Sequence, residues 1–444
     1  MARPCAAMRI LVVGGGGREH ALAWWCRRGR DDVEVICAPG NGGTDLIAQN
    51  VPVDVSDAGE VARLAREREV DLVVIGPDAA AAAGVADACT TSGIATFGPT
   101  AAAARIESSK SFAKQLMDEA GVPTARWMSG GADDRVRLRA FIADLDGRCV
   151  VKADGLALGK GVTVCGGVAD AERALTECLD AARFGDAGLR VVVEERLDGA
   201  EVSLFGISDG RSVRVLPAAR DHKRVHDGDT GPNTGGMGAV VPPPGFDDTT
   251  IPELVTAVLQ PCVDALREHG TPFVGCLYAG LMLTSSGPRV LEFNARFGDP
   301  EAQVVLPIVD EDAVDLLLSA AHGSLPPGRV RSGFGAVAGV VAAAEGYPGS
   351  ARTGDVISGL ESIDADVLAF HAGTRRDPDG TLRTSGGRVL CVAARGEGVE
   401  AASRCAYENL GRVHFDGMQY RRDIGGAHTH RARDGAMSAT AGRS

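Results

Sequence analysis

Residues 8–28 read MRILVVGGGGREHALAWWCRR. An apolar run at 9–13 ends in Gly14-Gly15-Gly16-Gly17, and the stretch from Arg18 to about Arg28 then has helical character. Strand, glycine turn and helix in that order open a parallel βαβ unit. The pattern repeats. A second apolar run at 33–38 ends in Pro39-Gly40-Asn41-Gly42-Gly43, and a helical stretch at about 59–68 leads to a third run at 72–75, which ends in Gly76-Pro77-Asp78. Right-handed crossovers bring all three turns to the carboxyl ends of their strands, where open α/β sheets bind ligands.

From Ser108 the character changes. A helix is expected at 109–120, then strands at 149–152, 162–165, 190–197, 201–207 and 212–218. A helix at about 252–269 and two further strands at 278–284 and 289–294 complete an α+β body. Beyond Pro326-Pro327 a smaller β-rich piece runs to about residue 425, and residues 427–444 lack apolar periodicity and read as a disordered tail. The expected division is 8–105, 106–325 and 328–425. The fold class is α/β and α+β multidomain, with a Rossmann-like parallel sheet first.

Composition narrows the function. The chain has 444 residues, too many for one ordinary domain, and 45 % of them are hydrophobic. With 46 basic and 59 acidic residues the net charge is −13, which argues against nucleic acid or a membrane surface as partner. The 59 glycines fall in short clusters, as loops do where backbone approaches a ligand. Eleven scattered cysteines with no CxxC pair read as reduced thiols of a cytoplasmic protein. No apolar stretch is long enough to span a bilayer, and residues 1–8 lack the apolar core of a secretory leader.

Several motifs carry chemistry. The Gly14–Gly17 turn opens a helix, so its amide groups suit an anion. It is a poor dinucleotide fingerprint, because Glu19 stands where the third glycine belongs and no carboxylate ends the second strand. A phosphate-bearing small substrate fits better, and a merely tight turn is the plainer alternative. The run Gly155-Leu156-Ala157-Leu158-Gly159-Lys160-Gly161 is not a Walker A loop, but a Gly-rich hairpin carrying one Lys can cover nucleotide phosphates, with Lys152 just before it. The GxSxG match at 206–210 lies between two strands, so Ser208-Asp209-Gly210 reads as a hairpin turn and not as a nucleophile elbow. Strict alternation through Val290-Leu291-Glu292-Phe293-Asn294 puts Glu292 and Asn294 on one face and packs Leu291 and Phe293 on the other. Two adjacent hard oxygen donors suit Mg²⁺. Arg296 follows, with Asp299 and Glu301 as acids to orient it. The segment from Asp221-His222-Lys223-Arg224 to Gly238, 18 residues without apolar period, reads as a functional loop. His222 and His226 lack a third ligand for a metal.

Together these motifs resemble one family closely: phosphoribosylamine–glycine ligase (glycinamide ribonucleotide synthetase), of the ATP-grasp class. The resemblance rests on GGREHALAW (16–24), APGNGGT (38–44), VKADGLALGKGV (151–162), FGDAG (184–188) and DHKRVHDGDTGPNTGGMGA (221–239). It continues through LYAGLM (277–282), LEFNARFGDPE (291–301), GYPG (346–349), TGDVI (353–357), FHAGT (370–374) and GGRVLCV (386–392). It implies a pre-ATP-grasp first domain, an ATP-grasp body and a small C-terminal domain. ATP would lie against Lys110, Lys152 and Lys160. Glu194, Glu195, Arg196 and Leu197 would form the adenine hinge and Glu201 would meet the ribose. Glu292 and Asn294 would hold Mg²⁺ or Mn²⁺. Arg296 would grip glycine's carboxylate and the acyl phosphate, with Asp221 and Lys223 orienting the reacting groups. Gly16, Gly17, Arg18, Glu19, Gly40, Asn41, Gly76, Pro77, Asp78, Asn233 and Gly236 would face the 5-phosphoribosylamine side. The resemblance implies glycine and 5-phosphoribosylamine as partners, no nucleic acid or membrane, and a monomer or weak homodimer. The chain departs from the family pattern at Gly15 (usually Asn), at Asp78 and Ala79 to Ala83, at Arg220 (usually Gln) and at Val240 (usually aromatic). Those departures motivate a paralogue acting on a different amine, and a catalytically silent scaffold is the remaining alternative.

Overall fold

A computed structural model describes residues 7–155, 161–179, 189–326 and 328–426. Lys160 with most of the glycine hairpin, the FGDAG stretch and the tail lie outside the described residues. The first sheet is parallel, in the order Gln49–Asn50, Val33–Pro39, Met8–Gly14, Leu72–Ile75, Ala95–Phe97. Its central strand is apolar on both faces because both faces are covered. Ile10 and Val12 pack with Leu22 and Trp25 of the helix Gly17–Arg27, whereas Leu11 and Val13 pack with Val61 and Leu64 of the helix Ala58–Glu67. Strand order reverses beside Met8–Gly14, so the turns at 14–17, 40–43 and 76–78 open at one edge.

Two sheets form the body, the smaller antiparallel and the larger mixed, with its edge strand Gly328–Arg329 parallel to Val213–Val215. The smaller runs Trp127–Gly130, Val191–Glu195, Cys149–Ala153, Val162–Val164. Helices Arg135–Asp144 and Val168–Leu179 seat Leu138, Ile142 and Leu175 against it. The larger runs Gly287–Asn294, Val274–Thr284, Ala200–Asp209, Val213–Val215, Gly328–Arg329. Ser208 pairs with Val213 across a tight turn, and its buried hydroxyl donates to the carbonyl of Phe273 at 2.8 Å, which removes the hydrolase reading. The helix expected at 252–269 is α at Ile251–Leu254 and Gln260–Glu268, with a π-wound turn at Val255–Leu259. Pro261 has no N–H to return to the preceding turn, and the wider winding accommodates that.

One expectation is corrected. The charged and glycine-rich segment is not a loop throughout. Arg220–Asp221 and Gly238–Val241 are strands of the C-terminal sheet, whose order is Arg220–Asp221, Gly238–Val241, Ala336–Ala343, Arg388–Gly396, Leu368–His371. Between them Arg224–His226 and Thr230–Asn233 form a small hairpin. Glycines mask the strand character of Gly238–Val241, where all four residues are buried and none alternates with a polar one. One core cluster then joins the first sheet, the larger body sheet and the C-terminal sheet, with Trp25, Phe205, Val304, Phe370 and Cys391 in it.

Trp25 is 1 % exposed, yet its indole N–H has no partner among the described residues. Trp25→Ala is expected to lower the unfolding free energy by about 3–5 kcal/mol. Trp25→Phe, which discards an unsatisfied donor, should cost under about 1.5 kcal/mol. Denaturant titration of the two variants checks this; equal losses would contradict it.

Candidate functional site

The strand Gly287–Asn294 supplies the two oxygen donors. Its pairing with Val274–Thr284 slips between Gly280↔Glu292 and Leu281↔Val290, so Leu291 is the extra residue of a β-bulge. Val290 and Phe293 therefore share the core, and Leu291, expected beside Phe293, is only half-buried. The carbonyl of Leu291 accepts from Lys152 Nζ at 2.8 Å. Glu292 and Asn294 remain two apart on the partly open face. Burial opposes ionisation of Glu292, but Lys223, Lys152, Lys110 and Arg296 together hold its carboxyl below the ordinary range. It is charged at neutral pH.

Cations from four segments surround it. Lys110 begins the helix Lys110–Glu119, whose first turn is fixed when Ser109 accepts from Phe112 N and Asp154 accepts from Ser111 N and Oγ, both at 2.6 Å. Lys110 Nζ donates to the carbonyl of Gly155 at 3.1 Å, and burial lowers its pKa. Lys152 is 5 % exposed and lies 2.9 Å from Glu194 Oε1. Lys223 Nζ lies 3.3 Å from Glu201 and 3.7 Å from Glu292. Burial works against the Lys223 ammonium, but Glu201 and Glu292 hold its pKa well above the usual lysine value. Arg296 Nη2 lies 3.0 Å from Glu107 Oε1 and donates to Asn294 Oδ1 at 3.0 Å, while its buried Nε has no partner among the described residues.

The acids expected beside Arg296 are elsewhere. Asp299 binds Gln303 Nε2 at 2.7 Å and Arg388 Nη2 at 3.2 Å, and Glu301 accepts from Ser203 at 3.3 Å. Glu107, which no motif marks, replaces them; its second oxygen accepts from Ala295 N at 2.8 Å. Asp78 raises the pKa of both Glu107 and Arg296, which places its charge close to that pair.

The expected hinge is more occupied than its role suggests. The Glu194 carboxylate lies between Lys152 and Lys114, Glu195 accepts from Arg126 N at 3.0 Å, Arg196 N donates to Arg148 O at 3.2 Å, and Leu197 follows directly. In the strand Arg220–Asp221, Asp221 Oδ1 is buried with no hydrogen-bond partner among the described residues. Burial and the nearby Glu301 push the Asp221 carboxyl well above the carboxylate range, only partly offset by Lys223 and Arg388. Gly236, at φ +110°, approaches so closely that a Cβ there would lie 2.8 Å from this oxygen. Asn233 pairs with Arg224 in the adjoining hairpin.

The three turns of the first sheet close that side, largely upon themselves. Glu19 Oε2 accepts from Gly16 N at 2.6 Å and Oε1 from Arg18 Nε, so the first helical turn already holds an anion of its own. Gly76 leaves the room: a Cβ there would stand 2.2 Å from Glu19 Oε1. Arg18 Nη1 reaches the carbonyl of Phe297, and Gly17 abuts Gln303. Asn41 spends its whole side chain on the fold. Its Nδ2 donates to the carbonyls of Gly15 and His371, and its Oδ1 accepts from Gly43 N and Thr44 N. Gly40 packs on Asn50, and Pro77 precedes the helix Asp78–Ala82. Two of the departures from the family pattern sit side by side, since Arg220 and Val240 are cross-strand partners.

Lys114, Glu107 and Arg388 were not anticipated. Lys114 left a trace, a lysine directly after Ala113 and three before Met117 on the buried side of its helix. Among the described residues, no group of three or more His, Cys, Asp or Glu has metal-binding geometry, so Glu292 and Asn294 are a two-donor set. No described helix is long and apolar enough to cross a membrane.

Profiles of the phosphoribosylglycinamide synthetase N domain, ATP-grasp (A) domain and C domain match residues 8–107, 108–302 and 337–427. A phosphoribosylamine–glycine ligase of Streptomyces coelicolor is 48 % identical over 423 residues, 94 % of this chain and 98 % of that protein. One from Xylella fastidiosa is 44 % identical over 424 residues, 94 % and 96 % of the respective chains. The crystal structure of phosphoribosylamine–glycine ligase from Thermotoga maritima superposes with a TM-score of 0.82 at 33 % identity, covering 94 % of this chain and all of that one. Biotin carboxylase from Campylobacter jejuni, 16 % identical with a TM-score of 0.71 and 94 % of each chain covered, shares the fold.

Buried histidines beside the site give it a pH signature. His371 N donates to His20 Nδ1 at 2.8 Å; burial, then His371, lowers His20 to about 3. Burial also lowers His371 and His222 to about 4 each. Unfolded, each titrates near 6.5 and binds protons that the folded form refuses. Their contribution is therefore intact above pH 6.5 and is lost as pH falls toward 4, by about 1.4 kcal/mol per unit per group. Asp221, shifted upward, runs the opposite way, so the comparison must be differential. Between pH 6.5 and 4.5 the stability of His20→Asn should fall less steeply than wild type by about one proton's slope, measured by urea unfolding. Parallel curves would contradict it.

Proposed function

The chain belongs to the phosphoribosylglycinamide synthetase family, and we propose that it joins glycine to 5-phosphoribosylamine at the expense of ATP, giving glycinamide ribonucleotide, ADP and phosphate. The observation that carries this reading is Glu292, kept ionised amid Lys110, Lys152, Lys223 and Arg296 and paired along its strand with Asn294. Such a cluster is short of negative charge in a way that a polyphosphate would satisfy.

The chemistry requires it. A carboxylate does not acylate an amine at neutral pH, because oxide is too poor a leaving group. Attack of a glycine carboxylate oxygen on the γ-phosphorus forms glycyl phosphate and breaks the bond to ADP. The amine nitrogen then attacks the acyl carbon, phosphate leaves and the nitrogen sheds a proton. Glu292 and Asn294 fit a divalent cation that, when bound, offsets charge on the phosphate oxygens; hard donors suit Mg²⁺, with Mn²⁺ as substitute. Lys110 and Lys152 steady the phosphates, and most of the remaining acceleration is positioning. Arg296, preset by Glu107 and Asn294, receives glycine's carboxylate and the acyl phosphate. Asp221 and Lys223 orient the reacting groups from the opposite wall. In this reading the adenine hinge at 194–197 works through its backbone, since the Glu194 carboxylate is engaged, and the Glu19 and Asn41 turns shape the wall that the ribosyl amine meets.

Residues 8–105, 106–325 and 328–425 are its three domains, and the working form is a cytoplasmic monomer or weak homodimer. The paralogue reading is not favoured: relatives covering 94 % of the chain at 44 % and 48 % identity bear one name.

Glu292→Gln is expected to lower glycine- and phosphoribosylamine-dependent ADP release about a hundredfold or more, with the unfolding midpoint little changed. Undiminished turnover at ordinary Mg²⁺ would overturn the metal assignment. If wild-type protein given both substrates released no ADP, the ligase reading itself would fail.

A further inference from the structure

Two ammonium groups share one buried carboxylate. Glu194, 2 % exposed in the strand Val191–Glu195, lies 2.9 Å from Lys152 Nζ through one oxygen and 3.2 Å from Lys114 Nζ through the other. Lys114 is also 2 % exposed and donates to Thr124 Oγ1 at 2.6 Å; that hydroxyl donates to the carbonyl of Val290 at 2.7 Å. Lys152 Nζ instead points toward the site, on the bulge carbonyl of Leu291 beside Glu292. For stability alone a single ion pair would suffice, and a second buried cation adds desolvation cost. Burial lowers Lys114 to about 8, with Glu194 working against it, so it stays mostly charged at neutral pH.

We propose that Lys114 is a standing counter-ion for Glu194, a positioning residue that lets Lys152 leave the carboxylate for a nucleotide phosphate. This rests on the reading above, in which Lys152 meets ATP. Without Lys114, drawing Lys152 onto a phosphate strands an unpaired carboxylate in the interior, and that cost is subtracted from nucleotide binding. With Lys114 in place, Glu194 is neutralised in both states.

The test is a double-variant cycle read by calorimetric titration of the intact protein with Mg²⁺–ADP, alongside KM and kcat for ATP. Lys114→Met should weaken ADP binding about tenfold to a hundredfold and raise KM for ATP in step, with a smaller change in kcat. Lys114→Arg should stay within about threefold of wild type, since it keeps the charge. Lys114→Met combined with Glu194→Gln should recover most of the lost affinity, because no carboxylate is left to strand. A fall in melting temperature with unchanged ADP affinity would overturn the proposal, as would equal weakening in the single and double variants. Lys152→Met separates the two levels. If it binds ADP like wild type, the phosphate contact of Lys152 is wrong and the inference falls with it. If it binds weakly while Lys114→Met does not, the inference alone fails.

Discussion

Positive charge gathered inside a protein of net charge −13 is the constraint around which the molecule is organised. Lys110, Lys152, Lys223 and Arg296 come from four separate stretches of chain and converge on Glu292. Each also has an acid or carbonyl that keeps it from drifting: Gly155 O for Lys110, Glu194 for Lys152, Glu201 for Lys223, Glu107 for Arg296. The arrangement is preorganised and incompletely neutralised. Low local dielectric strengthens both the restraint on the side chains and their pull on an incoming anion.

The first and C-terminal sheets serve this cluster by fixing its walls against the body. Arg388, from the C-terminal sheet, binds the carbonyls of Gly235 and Asp299 and the Asp299 carboxylate. Asn41, from the first sheet, binds the carbonyl of His371. Arg18 reaches Phe297 in the body. These are charged or amide groups bonded to backbone across domain borders, and the apolar core from Trp25 to Cys391 lies beneath them. Rigid-body slippage of one sheet against another would break several of them together.

Much of this was legible from residue order, and the failures have a common cause. The strands at 9–13, 33–38 and 72–75, their turns and the helices at 18–28 and 59–68 follow from short-range periodicity, as does the shared face of Glu292 and Asn294. The short edge strands Gln49–Asn50 and Ala95–Phe97 carry too few residues to show a period. The bulge at Leu291 depends on which partner the strand acquires, and nothing within 287–294 encodes it. Glu107 gains meaning only when Arg296 arrives from the far side of the body, and Asp299, adjacent in sequence, is drawn off by Arg388. The resemblance implies Asn41 and Glu19 as site residues, but their side chains bond the protein itself. Lys160 was singled out by its motif and lies outside the described residues. Local pattern identifies elements and donors; the choice among nearby partners is made in three dimensions.

The strand Gly238–Val241 finds its neighbour in Ala336–Ala343, and Ala336–Ala343 finds its other neighbour in Arg388–Gly396. During synthesis the earlier strand leaves the ribosome roughly a hundred residues before the segment that completes it, and non-local pairings of this kind close slowly. Until then the wall bearing Asp221 and Gly236 has no backing. Competence for chemistry is thus withheld until the segment Arg388–Gly396 has emerged, and a translation product that stops short of that sheet would carry the cationic cluster without the surface that faces it.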